Sequence, residues 1–409
     1  MSSDTPFRDR HRQARVVLAD ADGRVAGVLG PYRLDEPWFQ EITDLVAQVQ
    51  ANHGIPITIV RLLRVDETDL PAMHVDYLAE IDGAAPDNLK PWRGKLDAQP
   101  LRTHYADIGG PRRVLEWAER ELAERGHRVK GRTQMRTWNL SAIWRLQTEA
   151  EPFWLKSVPS FFAHEPRVLT LFAEHGEACM PELIVSRGQD MLLKHIPGED
   201  TYDASREQML HMAKQLVELQ WRWSTRTDAL LHVGVPNQGS VILAESIPSV
   251  IKRYLPAMSE ARKKGLRRFL DRLPERLATL ARCGLPNTLV HGDYHPGNWR
   301  GEGLELTMLD WGDCVVGNPL LDFPGLLDRA GKHAQEVRDV WLSACAAKVP
   351  DADLELGAEI AVAIADARMA VVFQAFLDQI EPSERVYHDS DPEHFLSRIA
   401  DAELADGDA

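Results

Sequence analysis

Cysteine is scarce: the 409 residues hold four, Cys179, Cys283, Cys314 and Cys345, none in a C-x-x-C spacing. A disulfide framework is thereby excluded, and the four read as small core residues in a reducing compartment. Positive charge is short as well. Lys and Arg total 47 against 62 Asp and Glu, a net charge of −15. Such a surface repels phosphate backbones, so no nucleic-acid partner is expected. Long apolar runs are missing too. Even Ile360–Ile380 is broken by Asp366, Arg368 and Asp378, short of the ~18 apolar residues that mark a membrane span. No membrane partner is expected, and the polar first fifteen residues hold no apolar core of a secretory signal, so the expected location is cytoplasmic.

What is present suits a folded globular protein, with 44% hydrophobic and 27% charged residues. The length exceeds one ordinary domain and asks for two units. The acidity is uneven: residues 351–409 hold fifteen acids and three arginines, −12 of the −15. The last eight, Ala402–Ala409, read as a frayed acidic tail.

Residues 1–105 read as a small α/β domain. Val16–Leu18 and Val25–Leu29 face each other across Asp22-Gly23, a hairpin signal. Trp38, Ile42, Leu45, Val46 and Val49 recur at helical spacing before Gly54, and β-rich runs follow at Ile57–Val65 and Met73–Ile81. An irregular, proline-bearing stretch at 84–101 is the linker. Residues 106–198 predict a helix opened by Gly109-Gly110-Pro111, strands at Thr137–Gln147 and Phe153–Val158, a helix at Glu165–Glu174 and a strand at Met191–Ile196. Residues 199–409 read as mostly helical, apart from His291–Asp313. The class is α+β, with a cleft between a strand-rich and a helix-rich lobe as the expected ligand site. The basic helix Arg262–Arg276 reads as a solvated face, and Trp221 and Trp223 as packing residues.

The chemistry concentrates in Leu289-Val-His-Gly-Asp-Tyr-His-Pro-Gly-Asn298 and Met308-Leu-Asp-Trp-Gly-Asp313. A strand ending at His291, turned back through Arg300–Gly303 against a strand at Glu305–Leu309, would bring Asp310 beside Asn298. That is a hard-oxygen pair suited to Mg²⁺, with Asp293 close by. Phosphoryl transfer needs such a set: one acid to accept a hydroxyl proton, an Asn and an Asp to hold metal. The same stretch reads alternatively as a metal-dependent hydrolase, with His291, Asp293 and His295 as ligands.

The H-x-D-x-x-x-x-N spacing matches a kinase catalytic loop. The variant HGDxHxxN, with LDW downstream and Gly317-Asn-Pro-Leu-Leu-Asp322 beyond it, resembles the aminoglycoside phosphotransferase family over residues 111–409. The resemblance implies a two-lobed protein-kinase-like fold with an appended N-terminal domain. It implies a small-molecule kinase using ATP and Mg²⁺, acting on a small-molecule hydroxyl acceptor. Asp293 would be the catalytic base, Asn298 and Asp310 the metal ligands and Asp322 a support for the loop, with His291 and His295 as further supports.

A kinase-like lobe also needs a strand lysine and a helix acid, and Lys156 and Glu165 take those positions. Trp138-Asn-Leu-Ser-Ala142 stands where a glycine-rich phosphate loop would be, leaving Ser141 and nearby amides to meet phosphate. Backbone groups of Lys194 and Ile196 resemble the adenine-reading hinge. Asp313 either meets a second metal or the acceptor, or caps the following turn. The acidic C-terminal stretch favours a cationic acceptor such as an amino sugar or aminoglycoside. A nucleotide-binding regulatory module without turnover is the other reading. The N-terminal domain resembles a Nudix domain, yet Ala47, Gln48, Ala51 and Asn52 stand where that family's Arg and three Glu belong, which implies no hydrolysis.

Overall fold

Alternating burial along the first strands builds the N-terminal sheet. In the computed structural model, which describes residues 6–87 and 89–405, β1 (His11–Ala19) pairs antiparallel with β2 (Val25–Leu34) and parallel with β4 (Ala72–Ile81). β3 (Ile57–Asp69) lies at the edge, in the order β2-β1-β4-β3. One face buries Val16, Leu18, Ile59 and Tyr77 under α1 (Thr43–His53), and the other buries Val17, Val60 and Leu78 against Trp92 and Leu96 of the linker. The helix starts at Thr43 and leaves Trp38 half exposed, later than the apolar spacing indicates.

The chain divides into two compact units. The first comprises residues 1–166, 182–195 and 379–387. Besides the N-terminal sheet it holds α2 (Gly110–Glu124), whose Pro111 suits a first turn, and a second sheet of five strands. These are β5 (Gly131–Trp138), β6 (Ser141–Gln147) and β7 (Phe153–Ser157), then, after α3 (Glu165–Glu174), β8 (Leu183–Arg187) and β9 (Asp190–Lys194), in the order β5-β6-β7-β9-β8. The strand predicted at 137–147 is therefore two, reversed at Asn139-Leu140. β8 was not legible, because its residues are half buried and end in Ser186-Arg187.

The second unit, residues 167–181, 196–378 and 388–409, is mainly helical. After the short β10 (Glu199–Asp200) come α4 (Arg206–Trp223), α5 (Thr227–His232), α6 (Ser240–Tyr254) and α7 (Glu260–Arg282). Ser205 and Gln208 form a reciprocal cap at the start of α4. A strand insert follows: β11 (Thr288–Val290), β12 (Trp299–Glu302), β13 (Glu305–Met308) and β14 (Val315–Gly317). α8 (Phe323–Ala330), α9 (Ala334–Lys348), α10 (Leu354–Gln379) and α11 (Asp391–Ala405) complete the chain.

Three expectations are corrected in this unit. The strand before His291 pairs with β14, while the hairpin is β12–β13, with Trp299 opposite Met308. The segment 402–405 is not frayed, since it ends α11 and Glu403 is 2% exposed, while 406–409 lie outside the described residues. Nor is the basic helix simply solvated: Arg268, Arg272 and Arg276 of α7 converge on Glu403. α10 is long and apolar enough to cross a bilayer by composition, but 56% of its most apolar window is buried inside the fold.

Candidate active site

The β11 strand delivers His291 into the core, and the loop to β12 then presents Asp293. Asp322, 2% exposed, organises the start of this loop. Its Oδ2 accepts from the His291 N–H at 2.8 Å, and its Oδ1 accepts from the Gly292 N–H at 2.8 Å. Gln220 Nε2 donates to the same carboxyl at 3.0 Å. Gly292 has φ 93°, and a Cβ there would lie 2.1 Å from the Asp313 carbonyl oxygen, so only glycine fits. The His291 ring lies tilted against Trp311 and its Nε2 meets the Leu309 carbonyl at 2.8 Å; burial lowers its pKa.

Asp293 and Asn298 meet directly. Asn298 Nδ2 donates to the Asp293 backbone oxygen at 2.8 Å and to Oδ2 at 3.0 Å. That commits the amide nitrogen to Asp293 and turns Oδ1, the only metal-binding atom of the side chain, away from it. His295 Nδ1 accepts from the Gly297 N–H at 3.0 Å, so its proton sits on Nε2, 3.4 Å from Asp293 Oδ2. Partial burial pushes the Asp293 carboxyl up, but the hydrogen bonds from His295 and Asn298 outweigh it and draw it down to about 2.

The β12–β13 hairpin carries the second loop to the first. Leu309 N donates to the Asn298 carbonyl at 2.7 Å, placing Asp310 one residue further on. Asp310 is exposed and has φ 57°, the one positive φ outside glycine among the described residues. Left-handed backbone in a carboxylate residue is uncommon and concentrates at functional positions. Asn298 and Asp310 thus supply hard oxygen donors of the kind Mg²⁺ takes. Among the described residues no three His, Cys, Asp or Glu converge as a metal site. His291, Asp293 and His295 do not form such a group.

Arg368 was overlooked in the sequence. It is 1% exposed on α10, and its Nη1 donates to the Gly292 carbonyl at 2.9 Å. Nη2 donates to the Asp313 carbonyl at 3.4 Å and Nε to Gln238. One guanidinium therefore ties the Asp293 loop to the Asp310–Asp313 loop. A charge interrupting an apolar helical run was the available signal.

In the first unit, Lys156 Nζ and Glu165 Oε1 form a buried ion pair at 2.7 Å. Ser141 is 5% exposed, and its Oγ accepts from Trp138 Nε1 at 3.1 Å. Lys194 N donates to the Glu182 carbonyl at 3.0 Å. In the second unit the Ile196 carbonyl accepts from Arg300 Nε at 2.9 Å. Trp223 is wholly buried against Phe172, while Trp221 is 40% exposed.

No curated protein sequence matches the chain. Among solved structures, the GDP complex of aminoglycoside 2'-phosphotransferase-IIIa is 14% identical, with 72% of this chain and 99% of that chain covered and a TM-score of 0.51. Choline kinase LicA from Streptococcus pneumoniae gives the same four values. Similarity at that identity shows the fold, an α+β protein-kinase-like one. The phosphotransferase enzyme family profile matches residues 138–347, just over half of the length and inclusive of Lys156, Asp293, Asn298 and Asp310; the chain belongs to that family.

Proposed function

We propose that the protein transfers the γ-phosphoryl group of ATP to a hydroxyl of a small molecule, with Mg²⁺ as cofactor. The observation that carries the reading is the junction of two loops. Asn298 donates its amide to Asp293 and accepts the Leu309 N–H, one residue before the strained Asp310. Asn298 and Asp310 are the residues that would hold Mg²⁺, which when bound neutralises charge on the phosphoryl oxygens.

Asp293 aligns the acceptor hydroxyl. The acceptor oxygen bonds to the γ-phosphorus as the bond to ADP breaks, and the hydroxyl proton passes to the Asp293 carboxylate. A carboxyl near 2 is a weak base, so it receives that proton late and contributes mainly orientation. Lys156, steered by Glu165, grips phosphate oxygens. Ser141 and the Lys194–Ile196 backbone are proposed phosphate and adenine contacts. His291, His295, Asp313 and Asp322 hold the loops in place. The N-terminal domain, Nudix-like but without the carboxylates, adds no hydrolysis.

Five of the acids behind the charge argument for a cationic acceptor are already paired. Glu403, Asp401, Asp378 and Asp366 are paired with arginines inside the second unit, and Glu381 with Arg102 inside the first. The test is therefore a broad acceptor panel, with amino sugars, aminoglycosides, choline-like alcohols and neutral sugars, assayed with Mg-ATP and Mg-GTP. Acceptor-dependent ADP release is the expected result. Tight Mg-ATP binding with no transfer to any acceptor would assign a regulatory module instead.

A further inference from the structure

The turn between β5 and β6 has no glycine from Trp138 to Ser141, and its backbone is held from outside along the whole first strand. Gln134 is 4% exposed, and its carboxamide pairs both ways with Ile59. Oε1 accepts from the Ile59 N–H at 2.9 Å, and Nε2 donates to the Ile59 carbonyl at 2.7 Å. β3 is an edge strand, so this side chain completes its unpaired ladder as a neighbouring strand would. Thr43 Oγ1 donates to the Gln134 carbonyl at 3.0 Å, and the Thr137 N–H donates to the Gln40 carbonyl at 3.2 Å. At the tip, Tyr105 OH donates to the Trp138 carbonyl at 3.0 Å. The Glu384 carboxyl, which takes the Leu62 N–H at 3.3 Å, lies beside the Asn139 backbone. All of these residues lie in the first unit.

We propose that the N-terminal α/β domain, with the 379–387 segment, is a positioning clamp that fixes the 138–141 turn for contact with nucleotide phosphates. The inference rests on the phosphotransferase reading. A glycine-rich loop gains close approach to phosphate through backbone freedom and loses entropy on binding. Here the turn is ordered before the ligand arrives, so less is lost on binding. The clamp assigns a task to a domain that lacks the Nudix carboxylates. Gln134, Tyr105 and Glu384 touch no reacting atom and act through the turn backbone.

Gln134→Leu removes both bonds to Ile59 at nearly constant volume, and Tyr105→Phe removes one hydroxyl from a buried ring and preserves folding if the first variant does not. Hydrogen exchange over residues 136–142 and the dissociation constants of Mg-ATP and adenosine are measured for each full-length protein. The expected result is faster exchange at the turn, Mg-ATP binding weakened about tenfold or more in Gln134→Leu, and adenosine binding within twofold of wild type. A general loss of stability would weaken both ligands together. Unchanged exchange overturns the clamp, and faster exchange with unchanged Mg-ATP affinity overturns its role toward phosphate. Wild-type protein that binds neither Mg-ATP nor Mg-GTP overturns the phosphotransferase reading itself, and the proposal with it.

Discussion

Gly292 carries no functional atom, yet both of its peptide groups are held by charged side chains, Asp322 on the N–H and Arg368 on the carbonyl. Asp293 follows directly, so its direction is set by two buried charges from distant helical segments. Arg368→Met would leave the Gly292 and Asp313 carbonyls unpaired in the interior. An unmet buried group costs about 1–3 kcal/mol, so the urea midpoint should fall by the equivalent of about 3 kcal/mol. A midpoint unchanged from wild type would show that the two loops hold without the guanidinium. Asp293→Asn is expected to leave Mg-ATP affinity within about threefold while turnover drops by roughly 10²–10⁴; turnover close to wild type would remove Asp293 from its role. The loop motif was legible because five polar residues keep fixed spacing within one short stretch. Arg368 was not, because its partners lie 76 and 55 positions away.

Among elements, the α7–α11 pair shows where helical spacing stops being informative. The apolar stripe Leu266, Phe269, Leu273 of α7 predicts a half-buried helix, and it is one. Nothing in that stripe tells that Gly265 faces the Ala400 backbone, where a Cβ would stand 2.4 Å from the carbonyl oxygen. Gly→Ala in a helix ordinarily stabilises by about 1 kcal/mol. Gly265→Ala should instead lower stability by about 1–3 kcal/mol, because the two helices must separate. Thermal unfolding decides this, and a raised midpoint would mean that the contact yields. The β5–β6 boundary failed in the sequence for a related reason. Asn139-Leu140 has no glycine or proline to mark a turn, and the Trp138 carbonyl at the reversal is held by the distant Tyr105.

At the scale of the whole molecule, one buried acid ties stability to pH. Glu384, wholly buried, is pushed up to about 8 by burial and then by the charge of Glu381, against Arg61, which lowers it. Arg102, Asp107, Tyr77, Tyr105 and Tyr387 face the same cluster. Unfolded, the group has its ordinary pKa of 4.5. Between those values the folded state keeps a proton that the unfolded state has lost, so stability from this group declines as pH rises through 8. Glu384→Gln keeps the neutral shape and should flatten that decline, measured as urea midpoints from pH 5 to 9. Parallel curves for the two proteins would show that Glu384 is ionised throughout.

The sequence by itself determined the α+β class, the helices α1, α2 and α3, and the loop motif with its downstream acid. These depend on periodicity and on residues close in the chain, which is the range over which side-chain spacing carries information. Only the tertiary structure decided how the loops are held. Asp322 and Arg368 fix Gly292 from segments 30 and 76 residues away, and the N-terminal domain pins a turn 75 residues further along. Contacts at that separation follow from packing and from the need to satisfy buried polar groups, and neither is written in local spacing. The C-terminal acidity makes the same point. Read as composition it suggested an attractive surface, and folded, six of the thirteen described acids of that stretch are paired with arginines.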